Sequence, residues 1–118
     1  AAEYIKEAVA IIDNFKASQI FRELQEMEFL AAELPFTLRG KDGTVINGIM
    51  DAVFKTKEGG VFIADYKSDN IKEEDLAERT ALYKQQLLFY KDAAKEIFKQ
   101  DKAQAAVIYL RPALAQKV

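Results

Sequence analysis

The stretch Gly48-Ile49-Met50-Asp51-Ala52-Val53-Phe54-Lys55-Thr56-Lys57-Glu58-Gly59-Gly60-Val61-Phe62-Ile63-Ala64-Asp65-Tyr66-Lys67 decides the fold. Two apolar runs flank the polar, glycine-ended segment Lys55 to Gly60, which has the composition of a hairpin loop. Side chains alternate along a strand, so Asp65 and Lys67 project from one face and Tyr66 from the other. Folding the hairpin about its middle sets Asp51 opposite Asp65. Directly opposed residues on paired strands have Cβ atoms roughly 5 Å apart, and like charges at that distance destabilise a sheet unless something positive lies between them. A divalent cation would meet that need, with Lys67 beside it. The pattern also admits a plainer reading, two strand-end carboxylates balanced by nearby lysines, and a one-residue slip or a bulge would part the two acids.

Outward from the hairpin, Gly40-Lys41-Asp42-Gly43 reads as a turn joining Val45–Lys55 to an earlier strand, Glu33–Arg39, so that three strands form an antiparallel meander. Before them, Tyr4, Ile5, Ala8, Val9, Ile12 and Phe15 recur at helical spacing and predict an amphipathic helix over 2–16 with a core-facing stripe. Ser18 caps a second helix with Ile20, Phe21, Leu24 and Met27 on its apolar face, ending before Pro35. After the polar segment Ser68 to Asp75, Leu76 to Phe98 contains no Gly or Pro and reads as one long helix. Its core stripe draws on Leu82, Leu87, Phe89, Ala93, Ala94 and Ile97. Ala105 to Leu110 reads as a short buried strand. The order α-α-β-β-β-α-β predicts a single α/β (α+β) domain over 1–118, with a central mixed sheet flanked by helices.

At 118 residues and 50% hydrophobic content, the chain suits one core and is too short for two. Its 17 Lys and Arg against 19 Asp and Glu leave a net charge of -2, which is not the balance of an autonomous nucleic-acid-binding module. Affinity for DNA would be local, or supplied by tethering to a larger machine. The chain has no Cys and no His, which removes disulfides, thiolate metal sites and imidazole chemistry and leaves Asp, Glu, Lys and Tyr as reactive groups. No apolar run approaches the roughly 20 residues needed to cross a bilayer, and the start carries no signal-peptide pattern. A soluble cytoplasmic protein with no membrane partner is expected.

Arg79, Tyr83, Gln86 and Tyr90 are spaced four, three and four apart and share one face of the expected long helix. A guanidinium, an amide and two phenols on one face suit a polar ligand. They are also compatible with phenols at the core edge and a solvated amide. Because this helix follows the strand bearing Asp65 and Lys67, its first half passes near the two acids.

Taken together, Glu33-Leu34-Pro35-Phe36, Gly48-Ile49-Met50-Asp51, Asp65-Tyr66-Lys67-Ser68-Asp69 and Tyr83-Lys84-Gln85-Gln86-Leu87-Leu88-Phe89-Tyr90 resemble the nuclease domain of the AddA and RecB helicase-nucleases, a branch of the PD-(D/E)XK superfamily. The resemblance runs from about Phe15 to Leu110 and implies a restriction-endonuclease-like core. The absence of Cys favours the AddA/RecB type over AddB-type relatives, whose nuclease domains usually carry an iron-sulfur cluster. By resemblance, Asp51 and Asp65 are the metal-binding aspartates, the main-chain carbonyl of Tyr66 completes the metal shell, and Lys67 is the motif lysine. Glu33 falls where related nucleases place an acidic residue on the first strand. Gln86 and Tyr90 match the QxxxY signature associated with DNA contact, and Arg79 and Tyr83 extend that face.

The family usually contributes a metal-ligating histidine from an upstream helix, and this sequence has none. Either the chain begins after it, as a piece of a larger helicase-nuclease, or this lineage has lost it. The carboxylate oxygens suit Mg²⁺ or Mn²⁺, and Lys67 would orient or deprotonate the attacking water or stabilise charge on the phosphate. The resemblance thus implies a metal-dependent DNA nuclease, an exonuclease acting in double-strand break repair and recombination on single strands fed by a helicase, in contact with the rest of that chain and a partner subunit. A non-catalytic nuclease-fold module that binds DNA or supports a subunit is the alternative from another class, and an unrelated α/β domain with incidental acids is a third.

Overall fold

A computed structural model describes residues 2–118. Its element order is α1 (Ala2–Lys16), α2 (Gln19–Gln25), β1 (Glu28–Arg39), β2 (Val45–Lys55), β3 (Val61–Lys67), a short 3₁₀ turn (Glu73–Asp75), α3 (Leu76–Ala81), α4 (Lys84–Phe98), β4 (Ala103–Tyr109) and β5 (Leu114–Lys117). The five strands form one sheet in the order β1-β2-β3-β4-β5. The first three make the expected antiparallel meander, β4 lies parallel to β3, and β5 returns antiparallel, so the sheet is mixed. A parallel pair needs a crossover, and α3 and α4 supply it. This is the restriction-endonuclease-like α/β arrangement, with helices on both faces. Among the described residues, no helix is long and apolar enough to cross a membrane.

Each face of the sheet carries its own core. On one, α4 presents Leu87, Tyr90, Ala93 and Ala94 to Val53, Ile63, Ala105, Val107 and Tyr109. Small residues on both sides let the helix lie close to the strands. On the other, Ile20 and Leu24 of α2 cover Ala52, Phe54, Phe62, Ala64, Ala106 and Ile108. β3 and β4 are therefore apolar on both faces, as central strands should be. Ser18 caps α2 as expected, its hydroxyl accepting from the Phe21 N–H at 3.3 Å.

Five expectations are corrected. β1 starts at Glu28, not Glu33, because α2 ends at Gln25, well short of Pro35, which lies inside the strand opposite Ile49. An edge strand tolerates a residue without an N–H, so the proline is accommodated there. The long helix is interrupted between Ala81 and Lys84 although no Gly or Pro lies there. Side-chain bonds hold the break: Thr80 Oγ1 pairs with the Tyr109 hydroxyl at 2.9 Å, and the Tyr83 hydroxyl donates to Asp69 Oδ2 at 2.9 Å. These tertiary contacts override a sequence of good helix formers.

The core stripe of this region is Leu87, Tyr90, Ala93 and Ala94, whereas Leu82 beside the break is 75% exposed and Ile97 is exposed at the helix end. The helix α1 forms as expected but buries none of its residues, and Tyr4, Ile5, Val9 and Ile12 all face solvent. Phe15 at its end packs inward, edge-on to Phe21 and Tyr66. Finally, the last expected strand begins at Ala103, and a further strand, Leu114–Lys117, follows Arg111-Pro112-Ala113. Four residues without β-branching carry little strand signal.

Candidate active site

The acids sit where β2 and β3 part. The β2–β3 ladder pairs Lys55 with Val61, Phe54 with Phe62, Val53 with Ile63 and Ala52 with Ala64. The next residues on the two strands are Asp51 and Asp65. There the ladder stops, and the Asp51 carboxylate takes the place of a backbone acceptor: the Tyr66 N–H donates to its Oδ2 at 2.9 Å. The alternation of β2 slips at this point, because Met50 and Val53 both enter the core under α4. Across β1, Glu33 occupies the register position facing Asp51, between the pairs Ala32–Ala52 and Leu34–Met50, with a left-handed φ of 49°. A non-glycine residue in that region is uncommon and is held there by its surroundings.

Asp65 is only 3% exposed. Its Oδ2 receives no hydrogen bond. The Lys67 ammonium lies 3.1 Å from that oxygen, an ion pair by distance whose angles do not make a directed bond. Burial pushes the Asp65 carboxyl above the usual carboxylate range; Lys67 pulls it down and the neighbouring Asp51 pushes it further up. A buried carboxylate oxygen with no donor and a second acid at its side fits a hard divalent cation, which would satisfy the lone pairs and offset the repulsion.

Tyr66 points its ring to the opposite face, toward Phe15, while its backbone stays at the site. Glu33 is exposed, and among the described residues no three acidic side chains converge as a metal-holding group.

The polar face expected of one helix is shared by three elements. Arg79 belongs to α3, Tyr83 to the break, and Gln86 and Tyr90 to α4. Gln86 Nε2 donates to the Tyr90 hydroxyl at 2.7 Å. Burial, and after it the Asp65 and Asp51 carboxylates, push the Tyr90 phenol up. Tyr90 is itself buried, edge-on to Phe36. Arg79 and Tyr83 both donate to Asp69 Oδ2, at 2.8 and 2.9 Å, and hold its carboxyl below the usual range.

Sequence reasoning assigned no role to Asp69. It lies two residues past Lys67, within reach of an arginine in the next helix, and that spacing was the available signal. The bond from Tyr66 N–H to Asp51 had no sequence signal, because it depends on where the ladder ends.

A family model described as the PD-(D/E)XK nuclease superfamily matches residues 2–118. The chain belongs to this superfamily. The match spans Asp51 and Asp65-Tyr66-Lys67 at the parting strands. A search of curated proteins finds no match. PD-(D/E)XK domains are generally hydrolytic nucleases that use divalent metal ions, and a nucleic-acid substrate follows from the fold family.

Proposed function

We propose that the domain is a Mg²⁺- or Mn²⁺-dependent deoxyribonuclease, with Asp51, Asp65 and Lys67 as its reacting centre. The observation that carries this reading is the buried Asp65 Oδ2, which has no hydrogen bond and stands beside Asp51 and Lys67. Asp51, Asp65 and the main-chain carbonyl of Tyr66 are the proposed ligands, with Glu33 joining them from β1. When bound, the cation supplies Lewis acidity to the scissile phosphate and offsets the charge that builds on it.

Lys67 then holds its ammonium against the phosphate or the attacking water. Asp51 keeps the end of β3 in register through Tyr66 N–H. Gln86 and Tyr90, already bonded to one another, form the nearest part of the DNA face, and Arg79 and Tyr83 border it. The four-motif resemblance to AddA and RecB nuclease domains supports placing residues 1–118 as one domain of a bacterial, cytoplasmic helicase-nuclease. There it would act as an exonuclease in double-strand break repair, on single strands delivered by the motor and alongside a partner subunit. A net charge of -2 suits a domain that is handed its substrate.

The test is cleavage of an end-labelled single strand with Mg²⁺ and with Mn²⁺, paired with calorimetry of metal binding. Cleavage and metal binding should both occur and both be lost in Asp65→Asn. The absence of a three-acid cluster among the described residues favours a second reading, a non-catalytic module that binds DNA or a subunit. DNA binding without cleavage or metal uptake would select it.

A further inference from the structure

Lys67 is the last residue of β3, and its ammonium lies between a carboxylate and a ring. Nζ is 3.1 Å from Asp65 Oδ2 and 4.5 Å from the centroid of the Tyr83 ring. The contact with Asp65 lacks hydrogen-bond geometry, so the carboxylate attracts the ammonium without aiming it. A lysine stem has four flexible carbons, and a point charge on it needs a second contact to stay in one place. The face of an aromatic ring within about 6 Å provides such a contact.

The ring is itself fixed. Tyr83 stands at the break between α3 and α4, and its hydroxyl donates to Asp69 Oδ2 at 2.9 Å. The Arg79 guanidinium donates to the same oxygen at 2.8 Å. Asp69 follows Lys67 by two residues, so chain and side chains close a loop from Lys67 to Asp69 to Tyr83 and back to the ammonium. The Tyr83 hydroxyl and one guanidinium nitrogen of Arg79 are thereby engaged within the protein. An uninterrupted helix has no reason to break at residues without Gly or Pro; these bonds, with Thr80 to Tyr109, supply one.

We propose that Tyr83, anchored by Asp69 and Arg79, is a positioning residue whose ring fixes the Lys67 ammonium beside the Asp65 carboxylate. The kinetic consequence rests on the nuclease reading; the placement of Lys67 does not.

Two measurements test it. In the metal-free protein, the ε-methylene protons of Lys67 should be shifted upfield by the ring current in ¹H–¹³C spectra of wild type, less so in Tyr83→Phe, which keeps the ring but loses its bond to Asp69, and should return to ordinary values in Tyr83→Leu. In single-turnover cleavage with Mn²⁺, Tyr83→Leu should lower the maximal rate by about 10²-fold, the scale of an ångström-sized misplacement. Its KM for a single strand should change far less than the rate, and Tyr83→Phe should restore part of the rate.

An unshifted Lys67 in wild type overturns the proposal, and so does a Tyr83→Leu variant that raises KM at constant rate, because the ring then meets substrate instead. If no variant, wild type included, cleaves DNA while the shifts follow the expected pattern, the nuclease reading fails and the placement of Lys67 stands. Should Tyr83→Leu not fold, the wild-type and Tyr83→Phe spectra decide.

Discussion

The Asp51 carboxylate accepts the Tyr66 backbone N–H at 2.9 Å, across the point where β2 and β3 stop pairing. One acid of the candidate site therefore serves the fold as well as its proposed role at the site, whereas its neighbour Asp65 has an Oδ2 that receives no hydrogen bond. The two acids should respond to mutation in opposite directions.

Asp51→Ala should destabilise the metal-free protein. It strands a part-buried N–H that now bonds a carboxylate, a loss on the order of 1–3 kcal/mol. Asp51→Asn keeps an acceptor and should cost less. Thermal denaturation without metal checks both; a melting point for Asp51→Ala equal to wild type would show that the bond contributes nothing.

Asp65→Asn should leave the metal-free protein as stable as wild type or more so at neutral pH. Burial raises the folded carboxyl's pKa above its unfolded value, so the folded state holds this proton more tightly. Its ionised form costs stability above the folded pKa, and the cost is relieved as pH falls through that value toward the ordinary carboxylate range. The difference in unfolding free energy between wild type and Asp65→Asn should thus move in favour of wild type on acidification. A difference that is flat, or that runs the other way, contradicts the assignment. Mg²⁺ should stabilise wild type by about 2.7 kcal/mol at a hundred times its Kd and leave Asp65→Asn unmoved.

Lys67→Ala should bind Mn²⁺ nearly as wild type does while cleaving about 10²–10³-fold more slowly, the usual loss for one preorganised electrostatic contact. Lys67→Arg should rescue poorly, since a planar fork does not fit where a compact ammonium sits between Asp65 and the Tyr83 ring. Single-turnover rates and metal titrations on the same preparations decide it. Wild-type speed in Lys67→Ala would reduce this lysine to a counter-charge.

Gly48→Ala should destabilise the protein and disturb the Tyr90 side of the site. A Cβ there would stand 2.6 Å from Cε1 and Cζ of Phe36, a buried ring packed edge-on against Tyr90 at 5.4 Å between centroids. Forcing that ring aside costs roughly 1–3 kcal/mol. The readouts are the melting temperature and the Tyr90 ring resonances. If neither moves, the Phe36 ring is not held where it stands.

The hairpin was legible because two kinds of local evidence agreed. Alternation along β3 put Asp65 and Lys67 on one face, and the Gly59-Gly60 loop set the pairing of β2 with β3 that ends at Ala52 and Ala64, next to the two acids; the slip of β2 at Asp51 had no such sign. The capped helix at Ser18 was legible for the same reason. Where the outcome depended on distant partners, the sequence offered no sign. The break at Tyr83 is made by Asp69 and Tyr109 acting on a stretch of good helix formers. The apolar stripe of α1 has the spacing of a buried helix, yet within residues 2–118 nothing covers it. The start of β1 at Glu28 was hidden because the helix signal of Ile20, Phe21, Leu24 and Met27 has no stop residue before Pro35, whereas α2 ends at Gln25.

That edge strand has a consequence for how the molecule keeps company with itself. Twelve residues of unpaired outer backbone would be a template on which other chains could add strands and start a fibre. β1 is interrupted three times within a few residues, by the register shift between Phe29 and Ala31, by the left-handed turn of Glu33, and by Pro35, which has no N–H to offer. The opposite edge, β5, is only four residues long. Irregularities that bend the backbone beside the acids also leave this sheet without a straight margin for a second copy to extend.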